Sequence, residues 1–204
     1  MSVLTPPAPL PSQPAGVGPR PLKWTAVEFN HLGDLGWFEG RRAYLIDGVI
    51  WEDGPMDIPH TVALGLVQHA LQAAFGPGWW VRGQSPLHVD KQTDPFPDFA
   101  VVPGGPRDYV TAQPTTAALA VEIADSSLAS DMTVKAQRYA TAGLPEYWVL
   151  DLKGRRLLVF RDPTPLPAVL GATAYRTQLA LGPTDRVSPL AVPNASILVG
   201  DLLP

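Results

Sequence analysis

The sequence predicts an α/β or α+β fold, a mixed central β-sheet flanked by helices, and three observations predict it. The elements alternate as helix, three strands, helix and strand pair. The strand candidates carry period-two apolar patterns. The composition is that of a folded domain: 46% hydrophobic and 17% charged residues, over a 204-residue chain long enough for a real core. The organisation expected is a Pro-rich arm over residues 1–22, disordered or polyproline-like, followed by one domain over 23–204.

Several function classes are set aside by composition. The net charge is −4, so the chain is no bulk nucleic-acid magnet; contact with nucleic acid would need a local patch or a cation that neutralises phosphate. Cysteine is absent, which removes disulfides and thiolate metal sites and suits a reducing cytoplasm. His31, His60, His69 and His88 form no ligand-like cluster, so zinc is not expected. No apolar run is long enough to span a membrane, and the arm has no secretory pattern. No G-x-S-x-G elbow or Gly-Lys-Ser/Thr phosphate loop is present.

Taken in order, "KWTAVEFNHL" (23–32) opens a helix, with Thr25 as N-cap and Glu28 three residues on. "RRAYLIDGVIWEDG" (41–54) reads as strand, Asp-Gly turn, strand. "MDIPHTVALGLVQHALQAAFGPG" (56–78) is a helix capped by Asp57, with Pro59 in its first turn and Gly76-Pro77-Gly78 ending it. His60, Leu64, Val67 and Leu71 share a face, so His60 heads the core-facing stripe. Residues 79–90, 96–103 and 118–125 are strands. Residues 130–143 form a helix capped by Ser130 or Asp131 and stopped by Gly143. Residues 146–162 are a hairpin, and Tyr175–Leu181 is a further strand. Trp79, Trp80 and Trp148 are expected in the core. Arg155 and Arg156 sit at an exposed hairpin tip.

Side chains alternate along strands. Asp98, Ala100 and Val102 therefore share one face, and so do Ala118, Ala120, Glu122 and Ala124. An antiparallel pairing of 98 with 122 also matches 100 with 120 and 102 with 118. It brings two carboxylates together beside a bed of alanines and sends the bulky residues to the other face. Two adjacent carboxylates repel, and a divalent cation resolves the repulsion. On the next helix Asp131, Lys135 and Tyr139 share a face, and Lys135 can reach back to Glu122. Two carboxylates with a lysine suit phosphodiester hydrolysis assisted by Mg²⁺ or Mn²⁺, with Lys135 orienting or helping to deprotonate a water. The competing interpretation makes Asp98 a turn residue after Pro97, Glu122 an edge charge and Lys135 a solvated helix residue.

The segments "LIDGVIWEDGP", "PH" at a helix start, "PDFAVVP", "VEIADSS", "DMTVKAQRYATAGLPEYWVLD" and "LLVFRD" occur in that order. Together they resemble the Uma-type family of restriction-endonuclease-like proteins, within the PD-(D/E)XK nuclease superfamily, over roughly residues 23 to 162. The resemblance implies a restriction-endonuclease-like core with an N-terminal hairpin and a C-terminal strand extension. It implies a Mg²⁺- or Mn²⁺-dependent endonuclease acting on DNA, with Asp98 and Glu122 as metal ligands and Lys135, His60 and Tyr139 at the site. Two departures stand out. The superfamily lysine lies two residues after the Glu, where this chain has Ala124, and Lys135 on the helix would replace it. Family members often carry Glu in "YELIDG", where this chain has Tyr44; Glu52 or Glu39 could substitute. These departures motivate an alternative, a nuclease-fold binding or assembly module without catalysis. The long 103–117 loop offers Arg107 and Tyr109 as substrate contacts. A homodimer is expected by analogy with enzymes that cut both strands.

Overall fold

The computed structural model describes residues 20–167 and 172–204. Most of the Pro-rich arm read over 1–22 lies outside the described residues. The N-terminal module consists of helix α1 (Ala26–Asp34) and the hairpin β1 (Arg42–Ile46) and β2 (Val49–Asp53). Thr25 and Glu28 form the expected capping box. The hairpin turn is Asp47-Gly48 with φ of 53° and 70°, the left-handed conformation that Asp-Gly favours. A Cβ on Gly48 would lie 2.8 Å from Lys23 Cβ and 3.0 Å from the Trp24 carbonyl oxygen, so the close approach needs glycine as well. Ala26, Phe29 and Leu45 form a small core of their own, with Trp24, Phe38 and Phe96 against it.

Helix α2 (Ile58–Phe75) starts at Asp57, whose side chain accepts from the His60 amide, and ends at Gly76. The main sheet follows: β3 (Trp79–Gly83), β4 (Phe99–Pro103), β5 (Leu119–Ala124), β6 (Glu146–Asp151), β7 (Arg156–Pro165) and β8 (Thr173–Leu181). They lie in the order β3-β4-β5-β6-β7-β8. β5 and β6 are parallel and the other neighbours antiparallel, which makes the sheet mixed, as expected. The parallel crossover is the helical segment α3, built of Leu128–Ser130, a π-helical stretch Asp131–Lys135 and Ala136–Thr141. Two short strands, β9 (Arg186–Val187) and β10 (Ile197–Leu198), pair near the C-terminus.

The sheet is buried on both faces. One face packs Phe99, Val101, Val121 and Ile123 against Ala63, Val67, Leu71 and Phe75 of α2 and against Val199 and Leu202 of the tail. The other packs Ala100, Ala120 and Ala124 against Ala136, Tyr139 and Ala140 of α3. Alanines facing alanines let α3 lie close to the sheet. Trp148 is fully buried, while Trp79 and Trp80 are half-buried near the sheet edge. Among the described residues no helix is long and apolar enough to cross a membrane.

Two expected boundaries move. The strand read over 79–90 stops at Gly83, because Gln84 has φ of 44° and Pro86 follows; residues 84–89 run as irregular chain. The helix read over 130–143 begins at Leu128, so neither Ser130 nor Asp131 caps it. Asp131 is instead inside, 1% exposed, with its Oδ2 accepting from Ser127 Oγ.

Candidate active site

β4 and β5 pair Phe99 with Val121, Ala100 with Ala120 and Val101 with Leu119. This is the register read from the alternation, and it sets Asp98, the residue before β4, across from Glu122. Asp98 Oδ2 accepts from the Ile123 amide at 2.8 Å. Both carboxylates are 4% exposed, deep in a polar cleft of about 180 Å³ that is also lined by His60, Arg42, Asp53 and Lys135.

Four elements aim donors at these two carboxylates. From α3, Lys135 Nζ lies 3.1 Å from Glu122 Oε2 and 2.9 Å from Asp131 Oδ1. One helical turn on, the Tyr139 hydroxyl donates to Glu122 Oε1 at 3.1 Å. From the first turn of α2, His60 Nε2 lies 3.4 Å from Asp98 Oδ1. From β1, Arg42 stands between Asp53, at 3.7 Å, and Asp98, at 3.9 Å. From the chain after β3, Gln84 Nε2 donates to Asp98 Oδ1 at 3.4 Å. The period-two alternation that points Arg42 at the cleft points Tyr44 the same way, and Lys135 Nζ sits 5.4 Å from the centre of the Tyr44 ring.

The electrostatics follow from burial and neighbours. Burial pushes the Glu122 carboxyl up to about 8, against the pull of Lys135. Burial likewise raises Asp131. Burial opposes the Lys135 ammonium, but Glu122 and Asp131 outweigh it, so its pKa is raised and the side chain stays charged. For Asp98 burial is outweighed by His60, the Ile123 amide and Lys135, and the carboxyl is held below its ordinary value. The Asp98 partnership raises His60 in turn. Burial keeps the Tyr139 phenol protonated, a donor to Glu122 at any ordinary pH.

The cleft therefore gathers Asp98, Glu122, Lys135 and His60, while Tyr139 is buried behind it and reaches it only through Glu122. It does not gather Arg107 and Tyr109. The loop that carries them leaves the C-terminal end of β4, while Asp98 stands at the N-terminal end, a strand length of roughly 17 Å away. There Arg107 is exposed, and the Tyr109 hydroxyl donates to the Pro103 carbonyl. Glu52 pairs with Arg41 on the outside of the hairpin, and Glu39 is exposed, so neither takes the place of a carboxylate at position 44. Arg156 pairs with Asp151, and Arg155 donates to the Pro204 carbonyl, away from the cleft. Sequence reading missed Arg42, Asp53 and Gln84, and it noted Asp131 without seeing that it shares Lys135 with Glu122.

The donor set of Asp98 and Glu122 is hard oxygen, which suits Mg²⁺ or Mn²⁺. Among the described residues no group of three or more His, Cys, Asp or Glu is placed to hold an ion. The protein would thus contribute the two carboxylates, and water and phosphate oxygens the rest of the shell, an arrangement Mg²⁺ favours.

A mixed sheet with helices on both faces and a buried acidic pair at the mouth of two central strands has the architecture of a nuclease-like protein. The fold matches the crystal structure of a putative nuclease belonging to DUF820 from Anabaena variabilis, with a TM-score of 0.61 and 12% identity over 78% of this chain and 88% of that one. No curated protein matches the chain. Residues 28–200 match the model of the Uma2 family, described as "Putative restriction endonuclease", and the chain belongs to that family.

Proposed function

We propose that this protein is a divalent-metal-dependent endonuclease that hydrolyses phosphodiester bonds in DNA. The observation that carries this is the placement of Asp98, Glu122 and the Lys135 ammonium in one buried polar cleft. Family membership supports action on nucleic acid, and restriction-endonuclease-like families generally use divalent metals. Asp98 and Glu122 would hold Mg²⁺ or Mn²⁺, which when bound supplies Lewis-acid stabilisation of phosphate charge and a more acidic water. Lys135, whose pKa is raised, acts as a fixed positive charge that orients the attacking water and offsets charge growing on the phosphate. A base role, which would need a lowered pKa, does not suit it. Tyr139 and His60 fix the rotamers of Glu122 and Asp98. Arg42, a third exposed and already directed at Asp98, is positioned to receive a phosphate at the cleft mouth.

The test is Mn²⁺-dependent cleavage of plasmid and single-stranded DNA by the wild type and by Glu122→Ala, purified side by side. Cleavage by the wild type alone is expected. One observation favours a second reading, a nuclease-fold binding module without catalysis: the ring of Tyr44, and not a carboxylate, faces Lys135. Absence of both cleavage and metal binding would select it.

A further inference from the structure

Beside the acidic cleft lies a larger cavity. It encloses about 650 Å³, within the range of small-molecule sites, and lies between the N-terminal module and the chain leading into β4. Phe29, Phe38, Phe96 and Tyr44 give it aromatic walls, and Phe29 and Phe38 are already stacked with ring centres 4.9 Å apart. Arg42, Asp53 and Tyr44 sit where the two cavities meet: Arg42 and Asp53 line both, and Tyr44 separates the aromatic cavity from Lys135.

One carboxylate in this cavity is under-satisfied. Asp94 is 2% exposed, and its Oδ1 makes no well-aligned hydrogen bond among the described residues; the Asn30 side chain and, at 3.8 Å, His88 Nδ1 stand beside the carboxylate. A buried carboxylate oxygen without a donor costs stability unless a ligand supplies one. Aromatic faces, a buried acceptor with spare capacity and an arginine on the side of the phosphate cleft together match one ligand chemistry. A base presents a π-face for the rings and an N–H edge for the carboxylate, and its own phosphate extends toward Arg42.

We propose that the aromatic cavity binds a nucleobase of the strand whose phosphate lies in the acidic cleft, so that the substrate strand is engaged unpaired, either single-stranded or with one base turned out of the duplex. This inference rests on the proposed nuclease reading and names its substrate class. A base stacked inside a duplex cannot enter the cavity, and extrusion costs unstacking, so single strands should be preferred. Phe38 supplies the stacking face and Asp94 the acceptor that ranks the bases by their donor edges.

The test separates binding from cleavage. A fluorescent single-stranded DNA of about ten nucleotides, the same strand with one abasic site moved along it, and the matching duplex are titrated by anisotropy against the full chain with Ca²⁺ present. The wild type is expected to bind the intact single strand about tenfold more tightly than the strand abasic at one particular position, and more tightly than the duplex. Phe38→Leu should remove the abasic penalty while still unfolding cooperatively above the assay temperature. Asp94→Asn should change the ranking of the four bases at that position. Equal binding of intact and abasic strands at every position, or no binding of any strand, overturns the proposal. Mn²⁺-dependent cleavage measured in parallel keeps the two readings apart. Cleavage without an abasic penalty overturns the base pocket alone; an abasic penalty without cleavage supports the pocket and overturns the nuclease.

Discussion

Lys135 Nζ stands 3.1 Å from Glu122 Oε2, although one residue belongs to the helical crossover and the other to β5. The same ammonium is 2.9 Å from Asp131 Oδ1, so a single buried cation serves two buried carboxylates. Removing it leaves Asp131 without a counter-charge and Glu122 without its ammonium donor. Lys135→Met should cost about 3 kcal/mol or more in urea unfolding at neutral pH. The loss should grow as pH rises through about 8, where Glu122 gives up its proton. The double variant Lys135→Met with Asp131→Asn should lose less than the sum of the singles; strict additivity would mean the two groups do not interact.

The pH dependence of stability follows from Glu122. Its carboxyl titrates near 8 in the folded chain and near the ordinary 4.5 when unfolded. Between those values the folded state binds more protons, so stability falls as pH rises. The contribution is fully present below about 4.5 and lost on passing through about 8. His60 and Asp131, also raised, act in the same direction. Asp98, lowered, acts oppositely, in acid. Melting temperatures in chelator should decline between about pH 5 and 8, and Glu122→Gln should flatten the decline. A wild-type profile that rises across this window would contradict the assignment.

Two carboxylates make a weak ion site until substrate joins it. Calorimetry with Mn²⁺ should find weak binding to the wild type. Tyr44→Glu places a third carboxylate on the β1 face that looks at Lys135, and should tighten Mn²⁺ binding about tenfold, since affinity follows the count of charged ligands. A folded Tyr44→Glu protein with unchanged affinity would mean that this face of β1 lies outside the ion's reach.

A different buried charge governs the tail. Glu146, 0% exposed, accepts from Trp148 Nε1, from Nε and Nη2 of Arg161 and from the Leu190 amide. Arg161 also donates to the Ser188 carbonyl. Glu146→Ala strands an arginine, an indole and an amide together, and should cost about 3–5 kcal/mol. Limited proteolysis should then cut first between residues 182 and 196. Equal protease resistance in the two proteins would refute this anchoring role.

Much of the site was legible because alternation is a rigid rule. Asp98 and Glu122 stand directly opposite in only one register, and the alanines beside them mark the side on which a helix comes close. Spacing on a helix likewise placed Lys135 and Tyr139 together. What was not legible depends on how separate pieces dock. Nothing in "RRAYLIDG" says that its Arg42–Tyr44 face covers the end of a sheet formed later in the chain. Arg107 and Tyr109 looked near because they adjoin a site strand, but antiparallel pairing puts the β4–β5 connection at the end opposite Asp98. The start of α3 was misplaced because Asp131 is a common cap, whereas here its carboxylate turns inward to Lys135 within a π-helical turn.

The Leu45–Asp94 bridge has a consequence beyond pairing. Asp94 exchanges backbone hydrogen bonds with Leu45 of the hairpin, while Asp98 is held through its side chain by the Ile123 amide. The short run between them is a strap pinned at both ends, one to the N-terminal module and one to the sheet. Its first residue borders the aromatic cavity and its last bears the carboxylate of the cleft. The seating of the hairpin and the placement of Asp98 therefore share one short length of backbone.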